Sequence, residues 1–148
     1  MKTKAIYQPE NNRLIEEKDF IFWGLKVYEI RRFSYNSNGD LSEVSYFDRA
    51  NRWIKTEGYF YNANRLPYLE TSKYKESNFT ERTFYLRDSK DRVFTIISES
   101  RCGLQYMQEF SFDNKGDQIR GLHLTLAPVE DISELYRKLM KKHCSPNI

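Results

Sequence analysis

The chain has 148 residues, 39% hydrophobic, 16% aromatic and 30% charged, and its 24 basic and 21 acidic side chains leave a net charge of +3. That length suits one domain spanning 1–148, able to bury roughly two thirds of the surface its unfolded form exposes, and the composition excludes a disordered chain. Charge so evenly mixed implies no strong field, so a nucleic-acid partner is not expected. No run is long and apolar enough for a signal peptide or a membrane-crossing helix, and charges interrupt the alternating band an outer-membrane barrel would need, so a cytoplasmic protein is expected.

Taken in chain order, the first signal is Asn11-Asn12-Arg13-Leu14, where residues tolerant of positive φ mark a reversal. Further on, Tyr28 and Ile30 share one parity while Phe33 and Tyr35 share the other, which predicts a bulge near Arg31 and Arg32. Then Tyr35-Asn36-Ser37-Asn38-Gly39-Asp40-Leu41 carries an aromatic, an Asn-rich tetrad ending in Gly, and a charge. Phe47-Asp48-Arg49-Ala50-Asn51-Arg52-Trp53 and Phe112-Asp113-Asn114-Lys115-Gly116-Asp117-Gln118 have the same form, with weaker copies at Asn62-Ala63-Asn64-Arg65-Leu66 and Asp88-Ser89-Lys90-Asp91-Arg92-Val93. Reversals at 12, 39, 51, 64, 91 and 116 are spaced by about 13 residues or twice that, and Gly24, Ser77-Asn78 and Gly103 stand where the missing ones fall. The pattern predicts an all-β, antiparallel up-and-down meander of about ten strands over 1–126, forming an open curved sheet or a barrel.

Between these turns Trp53, Tyr59 and Tyr61 alternate with Ile54, Gly58 and Phe60, placing aromatics on both sides of a strand. Either the sheet closes or folds over so that both faces are covered, or a second face displays Tyr and Trp. In the last hairpin Leu104, Tyr106, Phe110 and Phe112 share a parity, as do Leu122, Leu124 and Leu126. Pairing Tyr106 with Leu124 and Leu104 with Leu126 would set all of them on one face. After Pro128 the period changes: Val129, Ile132, Leu135, Leu139 and Met140 define an amphipathic helix over 129–143. Glu130, Asp131 and Glu134 near its start, and Arg137, Lys138, Lys141 and Lys142 near its end, complement the helix dipole. Its apolar stripe is expected to seal an open edge or end of the sheet.

Catalytic patterns are scarce. Cys102 and Cys144, in a strand and in the tail, read as free thiols. His123 falls several residues along the strands from Cys102, too far for a nucleophile and base, and His143 ends the helix. Neither metal-ligand spacing nor a Gly-rich phosphate loop occurs, so neither an enzyme nor a cofactor-dependent protein is expected.

The segments YNSNGDLSEV at 35–44 and FDNKGDQIRG at 112–121 resemble the tyrosine-aspartate repeats of bacterial Rhs and teneurin-type proteins, at hairpin level over residues 7–121. This chain departs from the repeat where Asn51, Asn64 and Asp91 replace Gly and where Arg follows. The resemblance implies a β-meander that wraps or binds protein, with no catalytic residue to carry over. A small β-meander capped by a helix is also similar in general character to bacterial immunity proteins against polymorphic toxins. The expected function is therefore a non-catalytic protein-binding module, immunity- or antitoxin-like, that occludes a toxin domain. Its candidate surface is Arg52, Trp53, Tyr59, Tyr61, Arg65 and Tyr68, residue types that dominate hot spots, although a core role is open for each aromatic. The alternative is an intracellular carrier of a small hydrophobic ligand, a closed β-barrel with Glu29, Arg31, Glu43 and Glu57 in its lumen.

Overall fold

The structure is a computed structural model describing residues 2–21, 26–99, 105–126 and 131–144. Ten strands follow in order: β1 (Lys2–Gln8), β2 (Arg13–Ile21), β3 (Lys26–Tyr35), β4 (Leu41–Asp48), β5 (Trp53–Tyr61), β6 (Pro67–Tyr74), β7 (Thr80–Arg87), β8 (Val93–Glu99), β9 (Gln105–Phe112) and β10 (Gln118–Leu126). One helix, α1 (Ile132–Cys144), follows them. Spatial order repeats chain order from β1 to β10, an up-and-down meander in one open sheet whose edges are β1 and β10. The closed barrel expected for a carrier is therefore not formed, and Glu43 does not share a face with Glu29, Arg31 and Glu57: it pairs with Ser34 and Gly58, on the alternate parity. The strand boundaries leave a reversal where Ser77-Asn78 stand; the reversals expected at Gly24 and Gly103 lie outside the described residues.

Five turns share one construction. The side-chain oxygen of Asn36, Asp48, Asn62, Asp88 or Asp113 accepts from the backbone N–H groups two and four residues on. The backbone N–H three residues on donates to the same residue's carbonyl. The third residue must then take positive φ, the three-residue hairpin loop that closes with an αL residue. Gly39, Asn51, Arg65, Asp91 and Gly116 occupy that position. The fourth reversal thus falls on Arg65 at φ 62°, not on Asn64, because the acceptor at Asn62 fixes the offset. At Gly39 a Cβ would also collide with the guanidinium of Arg13, which lies over the Tyr35 ring.

Three of these acceptors are acids, and two of them, Asp48 and Asp88, are held below the usual carboxylate range. For Asp48 the Arg52 backbone N–H is the main cause, followed by the Arg52 guanidinium. At Asp88 burial acts upward, but the Arg92 side chain and the Arg92 and Lys90 N–H groups outweigh it. A depressed folded pKa stabilises fully above the unfolded value and is lost as pH falls through the folded one. Replacing both by Asn keeps the acceptor, as Asn36 and Asn62 do naturally. We expect the double variant Asp48→Asn, Asp88→Asn to lose less melting temperature than the parent between about pH 5 and pH 2; parallel curves would discharge these turns from the acid sensitivity.

Six hairpins also skip one residue in their pairing, just after the turn: Ile15, Tyr28, Ser42, Ile54, Phe94 and Ile119. Several of these are among the most exposed large side chains, with Tyr28 at 61% and Ile119 at 65%. Two expectations change as a result. The bulge near Arg31 and Arg32 lies instead at Tyr28, and pairing from Glu29 to Ser34 is continuous. In the last hairpin the skipped Ile119 moves the register by one, so Tyr106 faces Thr125 and Leu124 faces Met107. Because side chains alternate, that slip places Leu122 and Leu124 on the face opposite Tyr106, Phe110 and Phe112. Leu104 lies outside the described residues.

Backbone contacts group the chain into two compact units, Met1–Tyr59 with Thr71–Thr80, and Phe60–Glu70 with Glu81–Ile148. In the second, α1 packs on the sheet face of interior strands, not on an edge. Phe84, Leu86, Ile97 and Ile132 are buried there, flanked by Leu69, Phe94, Met107, Leu135, Tyr136, Leu139 and Met140. The apolar stripe at three-and-four spacing packs on the apolar rows that Phe84, Leu86 and Ile97 give β7 and β8. Asp131 caps the helix, its Oδ1 accepting from Ser133 N at 2.9 Å, and Arg82 ties the start down through Glu99 and Ser133 Oγ. Helix residues expected at Val129 and Glu130 lie outside the described residues.

Candidate interaction faces

With α1 on one face of the second unit, alternation sends Tyr85, Arg87, Ile96, Phe110 and Phe112 to the other. They line an open cleft of about 430 Å³ with Pro67, Glu70, Arg92, Val93 and Gln118. The five alternating side chains are half-buried, so each ring offers part of its surface to a partner. The Arg92 guanidinium lies 4.7 Å from the Phe112 ring centroid and is fixed by Asp88 at 2.7 Å. Burial, then the carboxylate of Glu70, which its hydroxyl engages, pushes the Tyr85 phenol up to about 12. It is therefore a neutral hydrogen-bonding ring at any physiological pH.

One face of the first unit is polar. Arg31 sits among three carboxylates: Asp19 at 2.8 Å, Glu17 at 3.2 Å and Glu29 at 3.7 Å. Asp19 is buried, and Thr3 Oγ1 donates to its other oxygen at 2.7 Å. On the same face Glu57 accepts from Tyr46 at 2.7 Å, Lys55 at 2.6 Å and Tyr59 at 3.1 Å. Burial pushes the Glu57 carboxyl up, but Lys55 and the two hydroxyls outweigh it and hold the group low. These groups satisfy one another, which suits a sheet face built for rigidity.

The six candidate surface residues do not share a face. Within the first unit Trp53 pairs with Phe47 and donates through Nε1 to Thr56 Oγ1, whereas Tyr59 belongs to the Glu57 parity on the other side. Arg52 is exposed at its turn and bound to Asp48. In the second unit Arg65 is an exposed turn residue, Tyr61 ends β5, and the Tyr68 ring lies 6.3 Å from that of Tyr136 on the helix side. Cys102 and the His123 side chain lie outside the described residues. Among the described residues no cluster of metal-ligating side chains occurs, and no helix is long and apolar enough to cross a membrane.

The cleft is hidden in the sequence because uninterrupted alternation places Phe110 and Phe112 on the face of the leucines, whereas the observed register separates them. The usable signal is the turn itself: an aromatic stands immediately before four of the five Asx acceptors and, as at Phe112, keeps its parity while the strand after the turn slips.

No protein-family model and no curated protein matches the chain. Among solved structures, a chain in the Tc holotoxin pore of Photorhabdus luminescens is similar at 10% identity over 83% of this chain, with a TM-score of 0.32. This chain spans 9% of that one, and a likeness of that size carries no weight for fold or function.

Proposed function

We propose that this chain is a non-catalytic protein-binding module of the immunity or antitoxin kind, which binds a toxin domain in the cytoplasm and occludes it. The observation that supports the reading is the helix-free face of the second unit. Half-buried Tyr85, Phe110 and Phe112 stand there beside Arg87 and Arg92 on interior strands. Rigid aromatics and arginines on a fixed backbone lose little entropy on binding and carry most of the energy of typical interfaces. Arg52 and Arg65, exposed at turns of the first and the second unit, contribute to association rate more than to affinity.

The test is growth rescue. A toxin domain encoded by the adjacent gene is expressed with and without this chain. Survival with the chain is expected, and Phe112→Ala should weaken the purified complex at least about tenfold with little change in melting temperature. Failure to protect, or an unchanged affinity for Phe112→Ala together with Phe110→Ala, would sink the assignment.

A further inference from the structure

The cleft on the helix-free face holds a guanidinium, that of Arg87, with no salt bridge among the described residues. Arg87 donates from Nη1 to the Asp91 carbonyl at 2.8 Å, and from Nη2 and Nε to the Pro67 carbonyl at 3.3 and 3.4 Å. All three bonds end on neutral oxygens, and among the described residues none of its partners is a carboxylate. Arg92 beside it is neutralised by Asp88, as Arg82 is by Glu99. A guanidinium carries five N–H groups; with three engaged, two are left for an acceptor from outside. Half-buried beside Tyr85, Arg87 has lost part of its water without forming a direct ion pair, the Glu70 carboxylate of the same cleft being engaged by the Tyr85 hydroxyl, which is unfavourable until a second anion arrives.

We propose that this cleft receives an Asp or Glu side chain of a protein partner, with Arg87 as its counter-ion and Ile96, Phe110 and Phe112 as the apolar walls beside it. The inference rests on the protein-binding reading and specifies its chemistry. An arginine fork suits a planar carboxylate, and aromatic walls exclude the water that would otherwise screen the pair. Glu70 stands on the same cleft and opposes an incoming anion, so it supplies a variant with an opposite sign.

The probe is 3-phenylpropionate, a carboxylate joined to a ring, titrated into the full chain and followed by backbone amide shifts. Perturbations are expected at 85–87, 92–96 and 110–112. The carboxylate should bind about tenfold tighter than 3-phenylpropionamide. Glu70→Gln, which keeps an oxygen to accept the Tyr85 hydroxyl, should tighten the carboxylate about threefold, and Arg87→Gln should erase the preference over the amide. Equal binding of acid and amide, tighter binding of 3-phenylpropylamine, shifts elsewhere, or weakening by Glu70→Gln would each overturn the proposal. If the probe fails while toxin rescue succeeds, only the carboxylate assignment falls; if rescue fails while the probe binds, the protein-binding reading falls instead.

Discussion

Replacing Ile97 by Ala is expected to lower stability by about 3 kcal/mol and melting temperature by on the order of 10 °C. Ile97 has no exposed surface, pairs with Phe84 on one side and Met107 on the other, and belongs with Ile132 to the cluster beneath α1. Removing three carbons there leaves a hole between two layers that are each backbone-locked, one by strand pairing and one by the Asp131 cap and Arg82, so the walls cannot collapse into it. Phe84 and Tyr136, stacked at 4.7 Å, would lose support together. The control is Ile119→Ala: an Ile of the same size, skipped by the pairing and 65% exposed, should cost about half a kcal/mol or less. Thermal melts of the two variants decide it. Similar losses would mean that the buried cluster does not carry the stability of the second unit.

That contrast between two isoleucines also shows what was legible in the sequence. Turns were readable because their chemistry is local: an Asx oxygen at one position and a left-handed residue three later are both visible in the chain, and they fixed ten strands and their order. Arg65 escaped because Asn64 is the better left-handed residue by type, whereas the fixed offset from Asn62 decided the outcome. Face assignment failed for a different reason. Alternation read straight through a turn misses the residue that six of the hairpins skip, and a one-residue slip moves every later side chain to the other face. Ile119 alone therefore misplaced Leu122 and Leu124 relative to Phe110 and Phe112, and hid the cleft. The helix was evident from its period. Its docking place was not, because an apolar stripe of given width fits an edge or a face equally well until the partner rows at Phe84, Leu86 and Ile97 are known.

The second large effect is expected at Arg31. Arg31→Met should destabilise the first unit by about 2 to 4 kcal/mol, below the full range for buried pairs because the side chain is 28% exposed. The cause is not the loss of one favourable pair. Removing the guanidinium leaves Asp19, Glu17 and Glu29 close together without their shared cation, and among the described residues the buried Asp19 keeps the Thr3 hydroxyl as its side-chain partner. Arg31→Lys should recover part of the loss, since a point charge can reach one carboxylate but not fork between them. The double variant Arg31→Met, Asp19→Leu should recover more than either argument from lost contacts would allow, because it removes the buried charge along with its partner, and Glu17 and Glu29 remain partly in water. Urea unfolding of the three proteins separates the causes. If the double variant is less stable than Arg31→Met, then the network stabilises through its bonds, and the stranded-charge account is wrong.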